Sequence, residues 1–260
     1  MTTTPLLRFY SETVFGGFSD IDGTVRFYTR IRALLQEKGS GAAVLDVGCG
    51  RGEYGEDEVA YRRGLRIFKG AARVVGIDVD PGAALNPHLD EFHLIQSEQW
   101  PVEGGCFDLC VADWVVEHAP DPKAFLAECF RVLKPGGYLC VRTLNRHSYV
   151  GIASRAIPSR SHGRVLKRVQ QDRKEEDVFP TLYRCNTIQK MRKMLASCGF
   201  AAVVYTIEAE PSYLGFSTLA YFLGVLHQRY APSWLRTTIV AFAKKADLGK
   251  QGTPEVTMCS

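Results

Sequence analysis

Residues 44–54 read VLDVGCGRGEY, with Gly48, Gly50 and Gly52 alternating directly after a short apolar run and ahead of a polar, helix-compatible stretch. Glycine enters backbone regions closed to other residues and lets a ligand approach the chain closely. A helix starting beyond such a turn offers N–H groups with no partner of their own. The segment therefore reads as strand, tight turn and helix, with a ligand at the turn. Spacing separates the candidate ligands. A dinucleotide fingerprint needs a small residue at the third position of G-x-G-x-x-G. Glu53 stands there. A phosphate-cradling P-loop needs Gly-Lys-Ser/Thr at its end, and the loop continues Arg51-Gly52-Glu53 instead.

The surrounding pattern constrains the architecture. Apolar runs at 43–47, 74–78, 92–96, 107–112, 138–143, 201–207 and 237–243 read as strands. Helical spacing predicts helices over 24–38, 53–68, 121–133 and 186–198, with Pro135-Gly136-Gly137 closing the third and Gly199 ending the fourth. Strands alternating with helices imply a seven-stranded, mostly parallel sheet with helices on both faces. In such α/β sheets ligands bind beyond the carboxyl ends of the strands. Two long connections, 146–185 and 208–235, read as lid-like insertions. We expect one domain over 1–260, comprising an N-terminal cap (1–40), a cofactor-binding core (41–145), the inserted segment (146–185), a C-terminal part of the sheet (186–246) and a flexible tail (247–260).

Composition sets outer bounds. With 46% apolar and 23% charged residues, the chain is neither disordered nor a multi-span membrane protein. Its 32 Lys and Arg against 28 Asp and Glu leave +4, too mild to argue for nucleic acid. The eight cysteines include no C-x-x-C pair, so no metal site is expected. Most lie in apolar runs and read as buried free thiols, which suit a reducing compartment. The first residues lack a charged segment followed by an apolar one. A cytoplasmic protein is the expectation.

The motif G-x-G-x-G after Val-Leu-Asp resembles motif I of the class I S-adenosylmethionine-dependent methyltransferases. VVGIDVD at 74–80, FDLCVADWVVEHAPDP at 107–122 and FRVLKPGGYLCVRTLN at 130–145 resemble later segments of the same family, in the same order. The resemblance covers residues 40–145 by motif and reaches about 207 by element order. It implies a Rossmann-like fold and S-adenosylmethionine as cofactor. Carried over by position, Asp46 would face the methionine amino group, and Gly48, Cys49 and Gly50 would give backbone contacts to the methionine portion. Asp78 would hold the ribose, and Val79 would cover the adenine. Gln96 and Ser97 stand where the family often has Asp and a small residue at the adenine edge. Ala112, Asp113 and Trp114 would lie near the methionine end. Trp114 reads equally as a core aromatic, and Cys49 as a small filler.

The resemblance leaves the acceptor open. A general base is needed only for an acceptor that is protonated at neutral pH. His118 and His147 follow strands whose ends line the expected site and are the base candidates, beside readings as a structural and a solvated histidine. Tyr10, Tyr28, Tyr183, Arg160 and His162 are the candidate acceptor contacts. The basic segment 154–184 suits a phosphate or carboxylate, or is a solvated face balanced by Glu175, Glu176 and Asp177. Its shortage of aromatics argues against RNA. Tyr213–Leu226 is the most apolar stretch and too short to span a bilayer. It reads first as a buried helix, and otherwise as a lid, a homodimer contact or a peripheral membrane anchor. The function expected is methyl transfer to an oxygen, or else a nitrogen, of a small or medium acceptor, anionic or lipid-like. The alternatives are a non-catalytic S-adenosylmethionine-binding scaffold and an RNA methyltransferase.

Overall fold

A computed structural model describes residues 4–156 and 181–246. Seven strands form one sheet: β1 (Ala43–Val47), β2 (Arg73–Asp78), β3 (Glu91–Leu94), β4 (Phe107–Asp113), β5 (Leu133–Leu144), β6 (Phe200–Ile207) and β7 (Thr238–Lys245). Their spatial order is β3-β2-β1-β4-β5-β7-β6. All neighbours pair in parallel except β7, which runs antiparallel to both β5 and β6. The order reverses between β1 and β4, so the ends of those strands flank the crevice where such sheets take ligands.

Alternation along the strands divides the core in two. Leu45, Val47, Cys110 and Ala112 face one side, with Leu126 and Cys129 of α4 (Pro122–Val132) and Met191 and Leu195 of α6 (Ile188–Ser197). Val44, Leu109, Val111 and Cys140 face the other, against Phe27, Ile31 and Leu35 of α2 (Gly23–Lys38). Helices thus cover both faces, as the continuous apolar strands require. The seven described cysteines are free, and five are buried. Among the described residues, no helix is long and apolar enough to cross a membrane, and no group of His, Cys, Asp or Glu could hold a metal ion.

Capping sets the helix starts. The Asp22 carboxylate accepts from the N–H groups of Thr24 and Val25 at 2.8 and 2.9 Å, so Asp22-Gly23 is a helix entry rather than a turn. Asp121 caps α4 in the same way.

Three expectations change. The stretch 53–68 is not one helix but a 3-10 turn over Glu53–Glu56 followed by α3 (Ala60–Arg66). Gly55, in the 3-10 turn, lies so close to the His88 ring that a Cβ would meet it. Pro135-Gly136-Gly137 does not end α4, which stops at Val132, but lies within β5. There the β4–β5 register shifts between Phe107 and Leu109, and Gly136 takes φ +74° to make the irregularity. The apolar stretch 213–226 is not a buried helix. It contributes α7 (Thr218–Tyr230), of which Leu219, Phe222, Leu223 and Leu226 are exposed while Tyr221, Gly224 and Val225 are buried. Most of the insertion 146–185 and the tail 247–260 lie outside the described residues; the insertion opens with α5 (Tyr149–Ala156). The short α1 (Pro5–Phe9) packs on α7 through Phe9 and Tyr221, whose ring centroids lie 5.7 Å apart.

Candidate active site

The glycine loop leaves β1 at the centre of the sheet and is held from several directions. The N–H groups of Gly48 and Cys49 donate to the Ile77 carbonyl at 2.8 and 3.4 Å, and Gly50 N–H donates to Asp78 Oδ2 at 2.9 Å. From the far side the buried Asn86 amide donates to the carbonyls of Cys49 and Gly50 at 3.1 and 3.2 Å. Gly48 has φ +65°, and a Cβ there would lie 2.5 Å from Val115 Cγ2. A Cβ on Gly50, by contrast, would find nothing nearer than 4.0 Å, so that side of the loop is open. Cys49 is buried with its sulfur against Gly76, and burial pushes its thiol far above the usual range.

Beyond the loop the ends of β1, β2 and β4 gather three carboxylates. Asp113 ends β4 directly opposite Arg142 of β5. The Arg142 guanidinium grips it at both oxygens, at 2.6 and 2.7 Å, and the Tyr28 hydroxyl donates to Oδ2 at 2.9 Å. Burial alone would raise the Asp113 pKa, but the Arg142 cation overrides it and holds the carboxyl below its usual range. Asp46 is different. Burial raises its pKa to about 7, helped by the nearby Asp113 and Asp78 charges and opposed by Arg66. Asp78 is buried and accepts from two backbone donors, Gly50 N–H and Asp80 N–H, each at 2.9 Å. Those bonds give it a structural partner, and the remaining lone pairs of both oxygens can still accept.

Arg66 had no signal in the sequence. Its guanidinium carbon lies 5.5 Å from the Tyr28 ring centroid and 4.7 Å from that of Tyr54, and its nearest carboxylate oxygen, on Asp113, is 4.0 Å away. Its buried Nε has no hydrogen-bond partner. Asp113 is already neutralised by Arg142, so Arg66 brings a cation that this cluster does not fully consume.

The other residues singled out from sequence spread unevenly around this centre. Val79 follows β2 with 57% of its surface exposed, an apolar face beside Asp78. Gln96 and Ser97 are exposed after β3, and the Ser97 hydroxyl donates to the Gln99 carbonyl at 2.8 Å. Trp114 is not a core aromatic. It is 36% exposed, holds φ +60°, and lies over the Arg142 guanidinium at 5.1 Å. A left-handed conformation is costly for so bulky a residue, and such outliers cluster at ligand sites. Ala112 is a correction: it has no exposed surface and belongs to the core under α4. Tyr28 is a second, because it is buried and spends its hydroxyl on Asp113, which makes it a positioning residue rather than a free acceptor contact.

His118 sits in the 3-10 turn after β4, partly buried, and His147 is exposed on the turn after β5. Beneath them the Thr143 hydroxyl donates to Glu117 at 2.6 Å, and the Asn186 amide donates to Thr143 at 2.7 Å. Tyr183 is buried with φ +50°, its hydroxyl 2.7 Å from that of Ser154. Tyr10 is buried under α7, and burial pushes its phenol up to about 12. Arg160 and His162 lie outside the described residues. One further polar pair was missed. Glu208, raised to about 7 by burial, stands 3.6 Å from His227 Nε2 at the end of β6.

Residues 45–141 match a family model described as a methyltransferase domain. Over that segment the chain is similar to S-adenosylmethionine-dependent methyltransferases. A relative from Mycolicibacterium smegmatis, named a probable S-adenosylmethionine-dependent methyltransferase, is 32% identical over 53% of this chain and 52% of its own length. A ubiquinone biosynthesis O-methyltransferase from Bradyrhizobium is 38% identical over 42% of each chain. The chain thus spans about half the length of the curated relatives it matches. A solved S-adenosylmethionine-dependent methyltransferase from Methanosarcina mazei, 20% identical, superposes with a TM-score of 0.51 over 84% of this chain and 97% of the other. That likeness speaks for the fold.

S-adenosylmethionine is the cofactor this family implies, and the described residues fit it. The open side of Gly50 leaves room for a ligand against the backbone. The methionine end of the cofactor is an amino acid, with an ammonium and a carboxylate. Asp46 and Arg66, whose Nε has no hydrogen-bond partner, carry the opposite charges to these two groups.

Proposed function

We propose that this chain moves the methyl group of S-adenosylmethionine to an oxygen, or else a nitrogen, of a small or medium acceptor with amphiphilic character. The observation that carries the cofactor half is the charge arrangement: a carboxylate, Asp46, and an arginine, Arg66, at the carboxyl ends of the central strands, with the Asp113 charge already taken by Arg142. Asp46 would hold the ammonium, Arg66 the carboxylate, Asp78 the ribose hydroxyls and Val79 a face of the adenine. The bound cofactor supplies an electrophilic methyl on a sulfonium. The chain's own work is to align the acceptor in line with it and to exclude water. Trp114 and the turns carrying His118 and His147 border the place where the acceptor would stand. A hydroxyl acceptor needs its proton removed, and His118 or His147 would take it. The ubiquinone biosynthesis O-methyltransferases among the relatives favour oxygen.

Calorimetric titration of the chain with S-adenosylmethionine, and separately with NAD, tests the cofactor assignment. Binding of the first near the micromolar range, about −8 kcal/mol, with none of the second is expected. Failure to bind S-adenosylmethionine overturns the assignment. With the cofactor established, turnover of hydroxylated aromatic acceptors with and without an alkyl tail tests the acceptor class; methylation of amines alone would overturn the oxygen reading.

A further inference from the structure

The outward face of α7 is apolar and largely uncovered in the described chain, Phe222 alone of its exposed residues having a ring contact, with Phe9 at 6.1 Å. Phe216, Leu219, Phe222, Leu223, Leu226 and Tyr230 are exposed, and from 219 onward they recur at the three- and four-residue spacing of one helix face. The opposite face is seated. Tyr221 packs on Phe9 and Tyr10 of the N-terminal segment, and a Cβ on Gly224 would lie 2.5 Å from Pro211. The helix cannot roll to hide its apolar stripe without breaking that seat.

What covers the stripe follows from its size and charge. One face of this 13-residue helix measures about 20 Å by 10 Å, far short of the about 800 Å² per partner that a stable protein interface covers. A second copy of the chain is therefore a poor occupant. From Pro211 to Arg236 there is no Asp or Glu; the exposed Arg229 lines a hollow with Glu12 and Asp20, and the partly buried Arg236 acts on Glu208. Arg8 shares an apolar hollow of about 480 Å³ with Phe9, Thr218, Leu219 and Phe222. Aromatic residues stand at both ends of the stripe: Phe216 before the helix, Tyr230 at its end and the exposed Trp234 beyond it. An apolar stripe with aromatic ends and an exposed arginine, Arg8, at its side is the form of a helix that lies flat in a bilayer interface.

We infer that the outward face of α7 docks the chain on a bilayer surface carrying anionic headgroups. The topology gives the contact a use. β6 runs parallel to β5, because both are antiparallel to β7. Helix α7, which leaves the carboxyl end of β6, therefore lies at the same end of the sheet as the glycine loop, Asp113 and Trp114. Docking there turns the candidate site toward the lipid, where an amphiphilic acceptor would be presented. The contact itself depends on neither cofactor nor methyl transfer.

The test uses the full chain without cofactor or acceptor. Co-flotation is measured with phosphatidylcholine vesicles and with vesicles containing about 30% phosphatidylglycerol. The wild type is expected to float with the anionic vesicles, more weakly with the neutral ones, and less as salt rises. Leu219→Glu combined with Leu223→Glu changes two exposed positions and is expected to lower vesicle partitioning about tenfold or more. Its thermal melt and S-adenosylmethionine affinity should match the wild type, which separates loss of docking from loss of fold or cofactor site. Absence of wild-type binding to either vesicle overturns the inference. So does undiminished binding by the double variant, or a wild-type dimer in size-exclusion chromatography that the double variant renders monomeric.

Discussion

The Asp46 carboxyl makes a pH-dependent prediction that can be followed quantitatively. Without cofactor its pKa is raised to about 7, first by burial and then by the Asp113 and Asp78 charges. An ammonium placed beside it favours the ionised form and lowers that pKa. Binding must therefore expel a proton wherever the empty site holds one. At pH 6 a group of pKa about 7 is about 90% protonated, so binding should release about 0.9 proton and be about fivefold weaker than at pH 7, a cost of about 1 kcal/mol. At pH 8 the release should fall to about a tenth of a proton. The cofactor's own α-amino group titrates near pH 8, so the window from pH 6 to 7 isolates Asp46. Calorimetry of S-adenosylmethionine binding at pH 6 in two buffers of different ionisation enthalpy counts the protons directly. Asp46→Asn should abolish the release and flatten the affinity across that window. No proton release at pH 6, or the same release from the Asn variant, would refute the ammonium assignment. The same shift acts on folding. Because the folded pKa lies above the usual 3.8, the group's favourable contribution is complete below that value and is lost as pH rises through about 7. The cofactor-free Asn variant should thus be more stable than wild type at pH 8, by about 2–4 kcal/mol, and little different at pH 4.

Four substitutions probe the neighbours. Arg66→Met should weaken S-adenosylmethionine binding about tenfold to a hundredfold, the worth of a charge-assisted hydrogen bond. Decarboxylated S-adenosylmethionine should bind wild type and variant alike; an equal loss for both ligands would remove Arg66 from the carboxylate. Arg142→Met leaves the buried Asp113 without its cation and should cost about 3–5 kcal/mol in denaturant unfolding. Adding Asp113→Asn to it should recover part of that loss, and no recovery would show that the guanidinium acts through packing alone. Gly48→Ala forces a methyl to 2.5 Å from Val115 at φ +65°, and a destabilisation of about 1–3 kcal/mol is expected by thermal melt. An Ala variant as stable as wild type would show that the loop is not held as described.

The parts of the site that sequence made legible are those fixed by local chain. The glycine loop, Asp46 and Asp78 each sit within a few residues of a strand end, so motif and position are one fact. Asn86 and Arg66 act on that loop and its carboxylates from about 36 and 20 residues further along, and nothing in their own neighbourhood marks them. Arg142 is intermediate. It stands in an apolar strand, LCVRTL, where an arginine needs a buried partner. Placing β4 beside β5 would have named that partner, because Asp113 and Arg142 pair in register. The turn-versus-strand error at Pro135-Gly136-Gly137 has the same origin. The signal for a break was correct, but the strand absorbs it by shifting register, and only the partner strand shows that.

Helix α7 shows a different limit. Its sequence is apolar all round, which reads as burial on every side. Burial is a property of the neighbours, and here the neighbours reach one side only. Tyr221, Gly224 and Val225 seat the helix on the N-terminal segment, with the half-exposed Phe222 tilted against Phe9 at 6.1 Å, whereas Leu219, Leu223 and Leu226 are exposed. A water-facing helix gains nothing in stability from that second set, since exposed leucines and phenylalanines are neutral for folding and a liability for solubility. Their presence at helical spacing, on a helix held in a fixed orientation above the end of the sheet where the cofactor loop lies, therefore asks for a second apolar phase. The same geometry links the two halves of the functional proposal: the charges of Asp46 and Arg66 would select a polar donor from water, and α7 would bring their site to the phase where an amphiphilic acceptor is concentrated.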